Sequence, residues 1–577
     1  MRIQLRQVEH EPFTALTSAG IDPVLARVYS ARGVAGPDDL DLGLAGLASY
    51  TQLKDIDQAA KRLAIAIKNA EKLAIAGDFD SDGAAGASLL IEGILDLGGR
   101  LPSLFIPNRL TQGYGLSPGL VAEMPADTNL VITVDNGIAS IAGVAAARAR
   151  GFDVIVTDHH LAGERLPEDC VAIVNPNQPG CAFPWKGTAG VGVAFYLIAA
   201  TRAKLREDKW FGEHRPEPNL SKYLDLVALA TIADVAPFER NNRIFIAAGL
   251  ERIRQRRCRI GILALLEVAG VEPENVTAET VGFIVAPRIN AAGRLEDMRT
   301  GVRLLLSQDE QAAREIARTL DQLNRERRSI EDGIREEAEE IAAQIVSAPQ
   351  DGEPFVLCPY QPDWHEGVIG IVAARLRERF HRPTIVFTKA ADGSIKGSGR
   401  SIPWFHIRDA IAAVDAQHPG LITKFGGHAA AAGLSLAKET DIAVFTEAFA
   451  AVARRELRAS DLEEIIYSDG ELGESTACLD TALAIEKGGP WGREFEPPIF
   501  HGTFLVKNVR ELRSNTLKCT VQKEHWALDA IWFRRNSEQS LEDGKRYTIA
   551  YALSVNRWRS RENLQLRIEK VLEEHSS

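Results

Sequence analysis

The sequence predicts an α/β chain in which two α/β lobes are joined by a long helix and followed by a small β-barrel. Three observations carry this reading. From about 55 to 236, short apolar runs alternate with Ala-rich segments, the pattern of a mostly parallel sheet. From Ser307 to Ser347, apolar residues recur at helical spacing through a highly charged stretch. From 466 onward, short alternating strands and turns take over. At 577 residues the chain has room for about three or four domains. Its 45% hydrophobic and 25% charged residues are the proportions of soluble globular protein.

Several function classes are excluded at once. The start, MRIQLRQVEHEPF, has no apolar signal core, and no stretch approaches about 18 uncharged apolar residues, so no membrane partner is expected. Cys170, Cys181, Cys258, Cys358, Cys478 and Cys519 form no CxxC pair, which argues against structural zinc and for reduced thiols in the cytoplasm. A net charge of −12 argues at first against nucleic acid. Local balance matters more: residues 500–570 carry 14 Lys/Arg against 8 Asp/Glu, a local +6.

Residues 1–45 read as a preamble of helices and loops without chemistry. The first lobe is organised around Gly77-Asp78-Phe79-Asp80-Ser81-Asp82-Gly83, between the apolar run Leu73–Ala76, a buried strand, and Ala84–Leu90, a tightly packed helix. Three carboxylates at alternate positions thus sit where strand becomes helix. Burying them unpaired would cost several kcal/mol each. A hard divalent ion is the simplest counter-charge, since carboxylate oxygens suit magnesium and manganese. A solvated acidic turn is the plainer alternative. An EF-hand loop is excluded, because its twelfth position counted from Asp78 is Leu89 and not Glu.

Two more strands end in the same kind of chemistry: Leu130–Val134 in Asp135-Asn136-Gly137, and Val154–Thr157 in Asp158-His159-His160. In a doubly wound sheet the carboxyl ends of parallel strands share one edge, so Asp80, Asp82, Asp135 and His159 should converge there. Singly, Asp135-Asn136-Gly137 is a good turn and Asp158 a helix cap. Repetition at three strand ends favours a shared site. Asp234 ends the apolar helix that starts at Leu224 and needs a partner or a metal, whereas Asp225 reads as a surface or capping residue. Four carboxylates and an imidazole match the needs of a two-metal phosphoryl-transfer site, the imidazole tilting preference toward manganese.

The series Asp78–Gly83, Pro107-Asn108-Arg109 with Gly113-Tyr114-Gly115, Val134–Gly137, Asp158–His160 and Ala233-Asp234 resembles, in this order, the DHH phosphoesterases. Later motifs narrow the resemblance to their branch of single-stranded-DNA exonucleases, over roughly residues 45–577. It implies that Asp80, Asp82, Asp135, His159 and Asp234 bind two divalent ions, Mn2+ or Mg2+, with Asp135 bridging. It places Asp78 beside them, near where some relatives carry a His ligand, and His160 near the scissile phosphate. Asn108, Arg109 and Tyr114 are the substrate contacts expected in this lobe.

Further along, Arg252–Arg257 reads as a solvated basic face more than a phosphate contact. Arg288 and Arg294, flanking small residues in Pro287–Arg294, are candidate forks for DNA phosphate. Ser307-Gln308-Asp309-Glu310 reads as a capping box opening a helix to about Ser347, with Gly333 a weak point. Forty helical residues would span about 60 Å, a strut joining two lobes.

The second lobe opens with strands at Phe355–Leu357 and Pro383–Phe387. His365-Glu366 is not a zinc-protease motif, because HExxH fails at Ile369. Gly426-Gly427-His428 is read as a loop entering an Ala-rich helix whose backbone N–H groups could meet phosphate. This lobe is similar to the DHHA1 substrate-binding domain, which implies nucleic-acid contacts at Ser398, Arg400 and His428. In the last segment, basic residues interleave with Trp526, Trp532, Tyr551 and Trp558, as in OB-folds that hold single strands. The implied domains are a preamble at 1–45, a DHH catalytic domain at 46–300, a connecting helix at 301–350, a DHHA1 domain at 351–458 and an OB-fold at 466–577.

The resulting expectation is a metal-dependent hydrolase of single-stranded DNA, and the resemblance implies a single-stranded-DNA-specific exonuclease of DNA repair and recombination that runs 5′ to 3′ and releases 5′-mononucleotides. A long strut and a closed cleft suggest a monomer, and the resemblance implies a single-stranded-DNA-binding protein and a helicase as protein partners. Two rivals remain: an oligoribonuclease or cyclic-dinucleotide phosphodiesterase of the same superfamily, and an inactive Cdc45-like DNA-binding scaffold. The basic barrel opposes the first, and the complete set of ligand residue types opposes the second.

Overall fold

The computed structural model describes residues 1–108, 112, 114–347, 354–512, 515–533, 540–558 and 561–575. It divides into two compact units, one of residues 3–321 with 467–577 and one of residues 322–466 with the first two residues.

The first unit holds β1 (Leu73–Ala76), β2 (Ser103–Phe105), β3 (Leu130–Val134), β4 (Asp153–Thr157) and β5 (Ala172–Val174) in a parallel sheet ordered β2-β1-β3-β4-β5. Every residue of β1 and β3 is buried, as in a sheet covered on both faces. Strand order reverses between β1 and β3, and that switch point is where such sheets open a crevice. The helices α1 (Ser81–Asp96), α2 (Gly190–Glu207) and α3 (Leu224–Ala233) pack against one another beside it. Gly83 permits the tight start of α1, since a Cβ there would lie 2.5 Å from the Asp78 backbone nitrogen.

Asp225, expected at the surface or as a cap, is fully buried. Its carboxylate pairs with the Arg259 guanidinium and accepts the Arg259 backbone N–H at 2.8 Å, which offsets the cost of burying the charge. The helix α4 (Ala286–Leu295) carries Pro287–Arg294. The basic run at 252–257 is satisfied internally: Arg254 donates to the Val276 carbonyl at 2.9 Å, and Arg256 pairs with Glu274 at 2.9 Å.

The long helix α5 runs from Glu310 to Ser347, 38 residues without interruption at Gly333, and spans about 57 Å. Its cap is not Ser307. Asp309 accepts the N–H of Ala312 at 2.6 Å, three residues on, and the segment before it is a separate short helix, Arg299–Leu305.

The second unit contains β6 (Thr384–Lys389), β7 (Ile395–Arg400), β8 (Ile422–Gly427) and β9 (Ala431–Leu436), an antiparallel sheet ordered β6-β7-β9-β8. It packs on a core that includes Phe387, Phe405, Phe445 and Phe449. Two expectations fail here. Phe355–Leu357 is no strand of the sheet, for only Leu357 bridges to Thr384. The Gly-Gly-His loop enters β9 and not a helix: Ala432 pairs with Gly427, and His428 donates its backbone N–H to the Ala431 carbonyl at 2.8 Å. Gly427 at φ 139 makes the turn that only glycine adopts readily.

The barrel returns to the first unit. β10 (Phe500–Leu512), β11 (Thr516–Lys523), β12 (Trp526–Trp532), β13 (Arg546–Trp558) and β14 (Arg561–His575) close in the order β10-β11-β12-β14-β13. Trp532 and Tyr551 belong to its core, while Trp526 is half-buried with its ring edge-on to Phe504. The preamble helps to fasten this end of the chain. Arg32 pairs with Asp469 at 2.7 Å with both side chains almost wholly buried, and Tyr29, Trp491 and Phe495 stack.

Candidate metal centre

At the end of β1, Asp80 caps α1, its Oδ1 accepting the N–H of Asp82 at 2.9 Å and of Gly83 at 3.1 Å. Asp82, in the first turn of α1, is held from across the site. The N–H groups of Gly190 and Val191, at the start of α2, donate to its two oxygens at 2.7 and 2.8 Å. Ser81 between them donates its backbone N–H and its hydroxyl to Asn290 Oδ1, both at 2.8 Å. That ties α4 to the acidic loop.

Asp135 ends β3 with φ 61, a left-handed conformation that costs a non-glycine residue about 1–3 kcal/mol unless its surroundings enforce it. They do: the Asn136 side chain donates to the carbonyls of Ala76 at 3.0 Å and Val134 at 2.9 Å, joining the ends of β1 and β3. His159 and His160 follow β4, positioned by buried Asp158, which accepts from His159 N at 2.7 Å, Ile138 N at 2.8 Å and His160 Nδ1 at 2.8 Å. Asp234 caps the C-terminus of α3.

These groups meet. His159 Nε2 lies 3.0 Å from Asp135 Oδ1, 3.7 Å from Asp234 Oδ2 and 3.9 Å from Asp82 Oδ2. Three ligand groups form within 4.8 Å: Asp78 with Asp80 and Asp135; Asp82 with His159 and Asp234; Asp135 with His159 and His160. The donor set fits divalent cations on one decisive point. Asp135 Oδ1 and His159 Nε2 are buried, face each other, and make no hydrogen bond among the described residues. Two opposed lone pairs at that separation call for a proton or a cation.

The electrostatics agree. Burial, then Asp80, lifts the Asp82 carboxyl to about 7. Burial and the neighbouring carboxylates raise Asp135 and Asp234 as well. Burial, then the charge of His160, lowers His159 to about 4, keeping it in the neutral form that ligates metal. Burial opposes charge on His160 too, but Asp158 overcomes it and holds that imidazolium up to about 9.

The structure therefore gathers Asp78, Asp80, Asp82, Asp135, His159, His160 and Asp234 at one sheet edge. Tyr114 joins them: its hydroxyl donates to the Asp135 carbonyl at 2.9 Å and stands 3.0 Å from His160 Nδ1. Asn108 donates its backbone N–H to Gln112 Oε1 at 2.8 Å. Arg109 lies outside the described residues. Arg294 follows Gly293, which packs so closely on the acidic loop that a Cβ would lie 1.9 Å from the Phe79 carbonyl oxygen.

The Arg288 guanidinium, expected to meet phosphate, is largely buried and pairs with Asp321 at 2.9 Å. Ser398, Arg400 and His428 lie together in the second unit. Arg400 pairs with Ala431 across β7 and β9, three residues past His428, and Ser398 precedes it by two on β7.

Sequence reasoning missed the groups that orient the acids: Asn290, the Gly190 and Val191 amides, and Arg493. Arg493 Nη1 lies 3.5 Å from the Val235 carbonyl, and its charge favours the ionised form of Asp234. The Gly-Val-Gly start of α2 was the only local hint. Arg493 stands 258 positions from Val235 and had none.

Comparison with known proteins gives a consistent picture. The chain matches the DHH family N-terminal domain over residues 72–231, the DHHA1 domain over 353–455 and the RecJ OB domain over 468–570. It is 47% identical over 553 residues to the single-stranded-DNA-specific exonuclease RecJ of Dickeya dadantii, covering 95% of this chain and 96% of that one. To the Escherichia coli protein of the same name it is 42% identical, covering 99% of both. The structure is similar to that of RecJ from Thermus thermophilus in complex with Mn2+, with TM-score 0.81 and 27% identity, covering all of this chain and 80% of the other.

Proposed function

The chain belongs to the RecJ family of single-stranded-DNA-specific exonucleases, and from that premise we propose how its residues do the work and on which end of the strand. It is a metal-dependent nuclease of the DHH class. Solved RecJ structures hold Mn2+ or Mg2+, and the ligand cluster at the sheet edge fits two such ions. Asp80, Asp82, Asp135, His159 and Asp234 would hold them, with Asp78 alongside and Asp135 reaching both. When bound, the ions supply an activated water and offset the charge that develops on the leaving sugar oxygen.

The protein groups do the rest. Asp158 keeps His160 charged and aimed, so that His160 can donate to an oxygen of the scissile phosphate. Tyr114 fixes the Asp135 backbone against the same imidazole. Asn108, Arg109 and Arg294 contact the strand near the cluster. Ser398, Arg400 and His428 hold its end, and the barrel of 466–577 grips the single strand. This division of labour follows the proposed bounds 46–300, 351–458 and 466–577.

The observation that carries the proposal is the pair of unbonded, buried, facing ligand atoms on Asp135 and His159. A terminal 5′-phosphate held at Ser398 and Arg400 would give 5′-to-3′ polarity and 5′-mononucleotides. No helix among the described residues is long and apolar enough to cross a membrane. We place the protein in the cytoplasm as a monomer, working beside a helicase that exposes single strands and a protein that coats them. End-labelled oligonucleotides with Mn2+ or Mg2+ test the polarity. A 5′ label should appear at once as mononucleotide, and early release of a 3′ label would overturn the assignment.

A further inference from the structure

Trp404 lies in the second unit, between β7 and the helix Ile407–Gln417. Its side chain is 76% exposed, more than any other large hydrophobic among the described residues, and its backbone is left-handed at φ 73. Both features cost free energy. An indole in water forfeits its burial, and a bulky L-residue is strained at positive φ. A glycine would avoid both.

The loop that presents Trp404 is not slack. Its first residue and the first residue of the helix after it are bonded to the turn that follows His428: Ser401 donates its backbone N–H to the Ala430 carbonyl at 2.9 Å, and Ile407 to the Ala429 carbonyl at 3.1 Å. The Ser401 hydroxyl donates to the Phe405 carbonyl at 2.6 Å. Ile402 and Phe405, on either side, are buried, and Phe405 meets Phe449 edge-on at 5.7 Å. The strand before the loop ends at Arg400, opposite Ala431. Trp404 is therefore held out, by a pinned and strained turn, past the end of the strand that carries Arg400 and beside the turn that follows His428. Backbone strain that the surroundings enforce marks functional positions.

We propose that Trp404 is a stacking platform for one nucleobase of the single strand whose phosphates run along Ser398, Arg400 and His428. The inference rests on the proposed path of the strand and adds the element that this path lacks. Phosphate contacts hold a backbone, whereas an aromatic face grips a base without reading its identity, because every base has a π-face. That suits an enzyme that must accept any sequence.

The test uses the full chain with EDTA, so that 5′-phosphorylated oligodeoxythymidylate is bound and not cut. Trp404→Gly should weaken binding by about 5- to 150-fold, the range of one lost base stack, and Trp404→Phe should keep most of the affinity. Thermal unfolding of Trp404→Gly should be unchanged or shifted upward, since glycine accepts the left-handed turn. An abasic site moved along the strand should weaken wild-type binding most at one position, and that penalty should vanish in Trp404→Gly. Equal binding by Trp404→Gly and wild type, or an abasic penalty unchanged in the variant, overturns the proposal. Arg400→Gln separates it from the reading beneath. If Arg400→Gln loses affinity and Trp404→Gly does not, stacking alone is wrong. If only Trp404→Gly loses it, with its abasic penalty, stacking stands and the phosphate assignment falls.

Discussion

At the scale of single residues, the centre turns on one pair of ligand atoms that is left without a proton between them. Asp135 is the clearest case, held left-handed with Oδ1 facing an imidazole lone pair. Asp135→Asn keeps the shape and removes the charge shared between the two ligand groups. It should lower kcat by more than about 100-fold, beyond the loss usual for a residue that merely supports a ligand, with DNA binding little changed. Steady-state turnover beside equilibrium binding checks this, and near-normal turnover would remove Asp135 from the bridge. The acids also make metal binding compete with protons. The Asp82 carboxyl rises from its ordinary 3.8 to about 7 in the metal-free protein. A raised pKa means the folded form keeps a proton that the unfolded chain gives up, so its contribution to stability is full below about pH 4 and lost as pH rises through about 7. Mn2+ needs the deprotonated ligands and replaces that proton. The rise in Tm produced by Mn2+ should therefore be small at pH 5.5 and larger at pH 8. An increment independent of pH would sink this account.

At the scale of elements, what was legible in the sequence was what burial on two faces writes into it. β1, β3 and β4 are continuous apolar runs with functional groups at their carboxyl ends, and the parallel sheet with its crevice followed from them. The hairpin at Gly427 was misread because Gly-Gly-His-Ala-Ala-Ala-Ala-Gly suits a helix by propensity. The partner strand that imposes β structure lies outside that window, where Gly397 to Arg400 pair with Leu434 to Ala431. The Arg288–Asp321 pair was hidden for a related reason: Asp321 is on another helix, and no local pattern announces such a pairing. The site also depends on how closely α4 approaches the acidic loop, which the sequence hinted at only through small residues. Gly293→Ala places a methyl group against the Phe79 carbonyl, where a Cβ would lie 1.9 Å away. Helix and loop must separate, at a cost of about 1–3 kcal/mol, and the Asn290 bonds to Ser81 should loosen. The expected outcome is a lower Tm together with weaker Mn2+ binding. A loss of Tm alone would show that α4 supports the fold without tuning the centre.

At the scale of the whole molecule, the barrel is more than an appended DNA grip. The segment leading into it supplies Asp469 to Arg32, Trp491 to Tyr29 and Arg493 to the loop after Asp234. Cutting the chain at 466 would therefore expose the first lobe and disturb its catalytic edge, and would not isolate the contribution of strand binding. Point substitutions on the barrel do isolate it. Its net positive charge overstates what it offers to phosphate, because many of its cations are already paired. Lys518 meets Asp529 at 2.8 Å, Lys545 meets Glu574 at 2.8 Å, Arg557 meets Glu486 at 2.9 Å and Arg567 meets Glu279 at 3.2 Å. Lys507 and Arg510, by contrast, are exposed on β10 on either side of its register shift, and neither has an acid partner among the described residues. Each phosphate contact on a single strand adds about 0.7 to the slope of log affinity against log salt. Lys507→Gln with Arg510→Gln should therefore flatten the slope for long single strands by about 1.4, with no effect on Tm. Titrations of an oligonucleotide at several salt concentrations measure it. An unchanged slope would mean that the strand leaves the enzyme by a path that does not cross this face of the barrel.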